Sequence, residues 1–98
     1  MSRRADIERA LRHLAPGVPD YESGAITDHA MSSTGLHNAS PETAAWLSMV
    51  SFVRHVLTEY DALLEEGYDQ DSARHFVAGD MQAILTEWRV KRPFNANE

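Results

Sequence analysis

Six polar residues suited to ion pairing, ligand binding or acid–base chemistry lie between positions 54 and 80: Arg54, His55, Thr58, Asp61, Arg74 and Asp80. If positions 54–61 are helical, Arg54 and Asp61 share one flank, because residues seven apart are separated by about two turns. Arg74 follows the glycine at position 67 by about as many residues as Asp61 precedes it. A helical hairpin that turns at this glycine therefore predicts an ion pair between Asp61 and Arg74. The same symmetry predicts a second pair, between Arg54 and Asp80.

This polar cluster has two uses that its residue types allow. Ion pairs would hold two helices in register, whereas Arg54 and Arg74 together could bind an anion or a small ligand. Asp80 falls within the apolar stripe predicted for its helix, where an unpaired charge would be costly. Its position favours the structural use, and the anion site is the alternative.

Acid–base catalysis would depend on His55, because an imidazole titrates near neutral pH. The pattern places His55 opposite the apolar face of its helix, with Glu59 one turn further on and no nucleophile beside it. An enzyme that uses Arg54, His55 and Asp61 is therefore the alternative to a non-enzymatic module.

Metal binding is not favoured by any pattern in the chain. The histidines His29, His37, His55 and His75 form no i, i+4 pair on a predicted helix and no His-Glu-x-x-His motif. The acidic run at positions 65–71 lacks the ligand spacing of a calcium loop. The sequence predicts neither a metal site nor a cofactor.

Composition narrows the range of partners. The chain has 98 residues, a net charge of −6 and no cysteine, which excludes disulfides and thiolate metal sites. Acids concentrate between Glu59 and Asp80, and such a surface repels phosphate backbones. Arginine and lysine lie mainly at the two ends, so nucleic-acid binding through basic termini is a third, less favoured interpretation. With no apolar run of about 20 residues and no signal-peptide pattern, we expect a cytoplasmic protein, a monomer or weak homodimer, with no membrane partner.

Apolar periodicity predicts four helices, near residues 3–14, 22–33, 41–66 and 71–89, and no strand. Ser40 followed by Pro41 is a typical helix start, and Gly67 is a typical helix end. The third helix is apolar over most of its circumference, so we expect it at the centre. The sequence thus predicts an all-α, compact four-helix domain over residues 1–92, with a long central third helix, an antiparallel C-terminal helical hairpin, and a disordered tail at 93–98. The stripe positions predict a core of Leu11, Trp46, Val50, Val53, Leu57, Tyr60, Leu64, Phe76, Val77, Ile84 and Trp88.

The residues of the predicted hairpin also resemble a known family. The pattern is carried by Arg54-His55, Thr58, Tyr60-Asp61, Leu63-Leu64, Gly67 and Ala73-Arg74. It is similar to the signature of the family named domain of unknown function 2293, and the resemblance covers roughly residues 40–90. The resemblance implies that the hairpin is the common element of the family. It implies no activity, substrate or cofactor.

Taken together, these patterns favour a small helical protein-interaction module that is not an enzyme. Its partner would be another protein. The alternatives are an enzyme or ligand site on the polar cluster and nucleic-acid binding through the basic ends.

Overall fold

The computed structural model describes residues 2–98. These residues form five α-helices: α1 (Arg3–Leu14), α2 (Asp20–Ser32), α3 (Pro41–Leu57), α4 (Tyr60–Glu65) and α5 (Gln70–Glu87), with a short 3-10 turn at Thr34–Leu36. No strand occurs among the described residues. The all-α class is therefore confirmed, while the four-helix arrangement is wrong, because the predicted third helix is two helices.

Side-chain caps explain where the longer helices begin. The Ser40 hydroxyl accepts a hydrogen bond from the backbone N–H of Thr43 at 3.1 Å, and Pro41 occupies the first helical position. The Asp69 carboxylate accepts from the N–H of Ser72 at 2.7 Å, and this bond lowers the pKa of Asp69. Both caps satisfy N–H groups that have no partner inside the helix.

Thr58 lies at the break between α3 and α4. Its backbone is extended, with φ −130° and ψ 175°. Its hydroxyl donates to the carbonyl of Arg54 and accepts from the N–H of Tyr60 at 3.2 Å. The side chain thus replaces backbone hydrogen bonds on both sides of the break, as threonine does when it competes with a helix.

The break changes which residues face the core. Leu63 is buried at 6% exposure, whereas Leu64 is half-buried and Leu57 is 37% exposed. Two non-helical residues rotate α4 relative to the continuous helix that the sequence predicts. Leu57 is the last residue of α3, before the break, and the prediction that it is buried was wrong.

The buried face of α5 also differs from the face that the sequence predicts. Ala73, Val77, Met81 and Leu85 are buried and follow a spacing of four residues, while Phe76 is 64% exposed. Asp80 is exposed as well, because it lies about 100° from this stripe. The stripe therefore carries no charge that would need a partner.

Helix α3 lies at the centre, since it packs against α1, α2, α4 and α5. Of the predicted core, seven residues are buried: Leu11, Trp46, Val50, Val53, Tyr60, Val77 and Trp88. Ile84 is half-buried. Gly67, with φ 103°, ends α4, and the N–H of Tyr68 donates to the carbonyl of Leu63 at 3.1 Å. This left-handed cap connects α4 to α5, so the C-terminal hairpin is built on α4 and α5.

A close backbone contact joins the end of α5 to the turn after α1. The N–H of Gly17 donates to the carbonyl of Trp88 at 2.9 Å, and a Cβ atom at Gly17 would lie 3.1 Å from backbone atoms of Glu87 and Trp88. The N–H of Lys91 donates to the carbonyl of Leu14 at 3.1 Å. These contacts carry the chain beyond α5 back across the first helix.

We expect Gly17→Ala to lower the free energy of unfolding, because overpacking costs about 1–3 kcal/mol. The lower conformational entropy of the unfolded alanine variant offsets only about 0.4–1 kcal/mol of this cost. Gly24→Ala is the matched control, since nothing lies within 4 Å of the added Cβ in α2. That change should stabilise the protein by about 0.5–1 kcal/mol. Urea unfolding of both variants measures the difference, and equal effects would contradict the close approach.

Candidate functional site

Four side chains converge on the last two residues of the described chain, Asn97 and Glu98. They are Arg54 and Trp46 of α3, Arg74 of α5 and Arg92, and we refer to these four as the cationic socket. The sequence predicts that positions 93–98 trail into solvent; in the structure, Phe94 packs against the core and Glu98 contacts α3. The socket brings three arginines against this segment.

Arg54 is the buried centre of the socket. It is 6% exposed, and its guanidinium donates from Nη2 to the backbone oxygen of Glu98. The Cζ atom lies 5.7 Å from the centroid of the Tyr60 ring, within the range of a cation–π contact. Its Nε has no hydrogen-bond partner among the residues that the structure describes. A buried cation with so few acceptors is costly unless an anion is close.

The electrostatics of Arg54 show a local excess of positive charge. Burial lowers the pKa of the Arg54 guanidinium, and the neighbouring charge of Arg74 lowers it further. Tyr60 and then Glu98 raise it, each by less than burial and Arg74 lower it. Burial and the charge of Arg74 together therefore outweigh the groups that raise the pKa of Arg54.

The Glu98 carboxylate receives donors from three directions. Its Oε1 accepts from the indole Nε1 of Trp46 at 3.1 Å and lies 3.5 Å from Nη2 of Arg92. Its Oε2 accepts from the backbone N–H of Asn95 at 2.9 Å. The guanidinium of Arg92 stacks on Trp46, with Cζ 4.3 Å from the ring centroid. A planar cation held on an indole is a geometry that binds carboxylates well.

Arg74 completes the socket from α5. Its Nη1 donates to the backbone oxygen of Asn97 at 3.3 Å, and its Nε is buried without a partner in the described chain. Among residues 2–98, Glu98 is the only carboxylate within 4 Å of any socket guanidinium. The socket thus contacts two backbone oxygens and one carboxylate of a segment that forms a turn over residues 95–98.

The predicted polar cluster is divided by the structure. Arg54 and Arg74 are brought together in the socket, whereas Asp61 pairs with His55, with 2.6 Å between Oδ1 and Nδ1. Both partners of that pair are about half exposed, and the His55 ring meets the edge of Tyr60 at 5.2 Å. Neither of the predicted cross-helix pairs forms among the described residues. The break at residue 58 is the reason, because it turns Asp61 back towards His55.

The other two members of the cluster have local positions. Thr58 caps the break described above, and Asp80 is exposed, with no ion pair in the described part of the chain. Among residues 2–98, no group of three or more His, Cys, Asp or Glu side chains is arranged to hold a metal ion. Within the same residues, no helix combines the length and the apolar character needed to cross a membrane.

Sequence reasoning missed three members of this site: Arg92, Asn97 and Glu98. Trp46 was assigned to the core alone, and it is buried, but its indole N–H also faces the socket. The one available signal was Arg92, a basic residue after α5 that is followed six positions later by an acid. That signal could not show which helix the segment contacts.

The described residues form an all-helical fold in which Trp46 and three arginines lie against residues 97–98. Residues 10–89 match the family described as "Uncharacterized conserved protein (DUF2293)". The chain belongs to this family, as the hairpin residues predicted. No curated protein and no solved structure matches it.

Proposed function

We propose that this protein is a non-enzymatic interaction module that binds an acidic segment of a partner protein in the cationic socket. The observation that carries the proposal is the buried Arg54, which sits beside Arg74, donates to a backbone oxygen of Glu98 and lies over the Tyr60 ring. A fold selected for stability alone would gain by replacing such a charge with an apolar side chain. A ligand that supplies negative charge would compensate this buried cation.

Residues 97–98 indicate what such a ligand looks like. They end a turn closed by a hydrogen bond from the N–H of Glu98 to the carbonyl of Asn95, and they present a carboxylate to Trp46 and Arg92 and backbone oxygens to Arg54 and Arg74. A partner segment with an acidic side chain reproduces every one of these contacts. The chain's own segment competes with it, and short tethers give effective concentrations of the order of millimolar. Release of Glu98 is therefore part of binding.

The enzyme alternative has less support from the geometry. His55 and Asp61 form an exposed pair, and catalysis would need a nucleophile or substrate pocket beside them. The nucleic-acid alternative relies on the basic residues near the two ends of the chain, and the net charge of −6 opposes it.

The experiment uses the full chain and a blocked peptide, acetyl-Asn-Ala-Asn-Glu-amide, that copies residues 95–98. We expect Glu98→Ala to bind this peptide about 10–100-fold more tightly than the unchanged protein, because a charge-assisted hydrogen bond contributes about 1.5–3 kcal/mol to the competing segment. Chemical shifts of the Trp46 indole N–H follow the titration directly.

Two controls make the test specific. Glu87→Ala removes an exposed acid at the end of α5 and should leave the affinity unchanged. A peptide that ends in Gln should bind at least tenfold more weakly than the Glu peptide. If the Trp46 signal of Glu98→Ala does not move at millimolar peptide, or a short oligonucleotide binds the socket more tightly than the peptide, the proposal is wrong.

A further inference from the structure

Arg54 uses only part of its guanidinium on the segment that it contacts. Its Nη2 donates to the backbone oxygen of Glu98, while its Nε is buried and has no hydrogen-bond partner among residues 2–98. Nη2 and Nε form one edge of the planar guanidinium, and such an edge binds a carboxylate with two parallel N–H bonds. The contact with Glu98 therefore leaves one donor of this edge without an acceptor.

The group bonded to the same carbon as that oxygen decides whether Nε can be satisfied. In an internal residue this carbon carries an amide N–H, which is a donor and cannot accept from Nε. In a residue with a free α-carboxylate it carries a second oxygen, and a carboxylate can accept from both nitrogens of the edge. A buried N–H without an acceptor is costly, so the carboxylate is the better ligand for Arg54.

The balance of charge in the socket favours the same ligand. Burial lowers the pKa of Arg54, and the neighbouring charge of Arg74 lowers it further. The three arginines of the socket contact residues 97–98, and among residues 2–98 only the side chain of Glu98 supplies them with a carboxylate. A terminal glutamate would bring two carboxylates on one residue, its side chain for Arg92 and its α-carboxylate for Arg54.

We propose that the socket binds the free C-terminus of a partner protein whose last residue is acidic, with the α-carboxylate held by Nε and Nη2 of Arg54. This inference rests on the proposed function of the socket and specifies which acidic segments bind, namely those that end at the acid. Arg74 contacts the preceding carbonyl, as it contacts that of Asn97. Capture of a terminal carboxylate is one of the recurring modes of peptide recognition.

The test compares three acetylated peptides on full-length Glu98→Ala: Asn-Ala-Asn-Glu with a free carboxylate, the same peptide as its amide, and Asn-Ala-Asn-Glu-Gly with a free carboxylate. The amide should bind measurably, and the free acid about 10–100-fold more tightly, because the α-carboxylate adds charge-assisted hydrogen bonds. The chain's own segment competes equally with all three peptides, so it does not affect the ratios of their affinities.

The glycine extension separates position from charge. It carries the same charge as the free acid, but its carboxylate lies one residue beyond the Arg54 edge. An exposed charge contributes little, so the affinity of the extended peptide should lie within about fivefold of that of the amide.

Arg54→Lys, added to the same protein, keeps the positive charge and removes the edge with two donors. The advantage of the free acid over the amide should then fall by at least about fivefold. Arg12→Lys, at an exposed position of α1, is the matched control and should leave this advantage unchanged.

A second measurement does not depend on a variant at position 54. The Nε–H resonance of Arg54 should shift on binding of the free acid and stay near its original position on binding of the amide. If the two peptides differ by less than about tenfold in affinity, or the glycine extension binds as tightly as the free acid, the inference is wrong and the socket proposal stands. If none of the peptides binds, both are wrong.

Discussion

Leu63→Ala is expected to lower the free energy of unfolding by about 2–5 kcal/mol, while Leu57→Ala lowers it by about 1 kcal/mol or less. The two leucines lie six residues apart, on either side of the break at Thr58. Leu63 is 6% exposed and Leu57 is 37% exposed. Truncating the buried side chain leaves a cavity that the surrounding helices fill only in part, whereas truncating the exposed one removes surface contacts.

Chemical unfolding of these two variants tests the break itself. A single continuous helix over residues 41–66 would bury Leu57, as its periodicity predicts, so the larger loss would then belong to Leu57→Ala. Thr58→Val is an informative companion, because it keeps the shape of the side chain and removes the hydroxyl that bonds to Arg54 and Tyr60. If Leu63→Ala is less stable than Leu57→Ala, the break is confirmed. The reverse order contradicts it.

Arg54→Met is expected to reduce the affinity for the Asn-Ala-Asn-Glu peptide about 10–100-fold, with the free energy of unfolding within about 1 kcal/mol of the unchanged protein. The guanidinium supplies a charge-assisted hydrogen bond worth about 1.5–3 kcal/mol to a bound segment. Methionine fills similar space without a charge, and replacing a buried ion by an apolar group is often neutral for stability. The substitution should therefore weaken peptide binding without a comparable loss of stability.

The measurement is a peptide titration in the Glu98→Ala background together with urea unfolding of each variant. Arg12→Met, at an exposed position of α1, is the matched control and should change neither quantity. If Arg54 serves only to fasten residues 97–98 to the fold, its loss would cost about 3–5 kcal/mol of stability. That outcome, with peptide affinity unchanged, would contradict the proposed function.

The sequence by itself determined the helical class, most helix ends and much of the core. Period-3.6 spacing, Ser40 as a cap and Gly67 as a left-handed stop act over one or two turns, so they are visible in a single chain. The central place of α3 also followed from its wide apolar surface. These features depend on residues close together in sequence, and local physics governs them.

Only the tertiary structure decided the break in the third helix and the partners of the charged residues. Thr58 is compatible with a helix interior, and its choice of an extended backbone depends on how Tyr60 and Leu63 pack against α3 and α5. That choice rotates α4, pairs Asp61 with His55 and leaves Arg54 facing residue 98. Charge pairing depends on distances between segments far apart in the chain, here 44 residues. Periodicity carries no information about such distances, because it describes faces of helices and not where those faces meet.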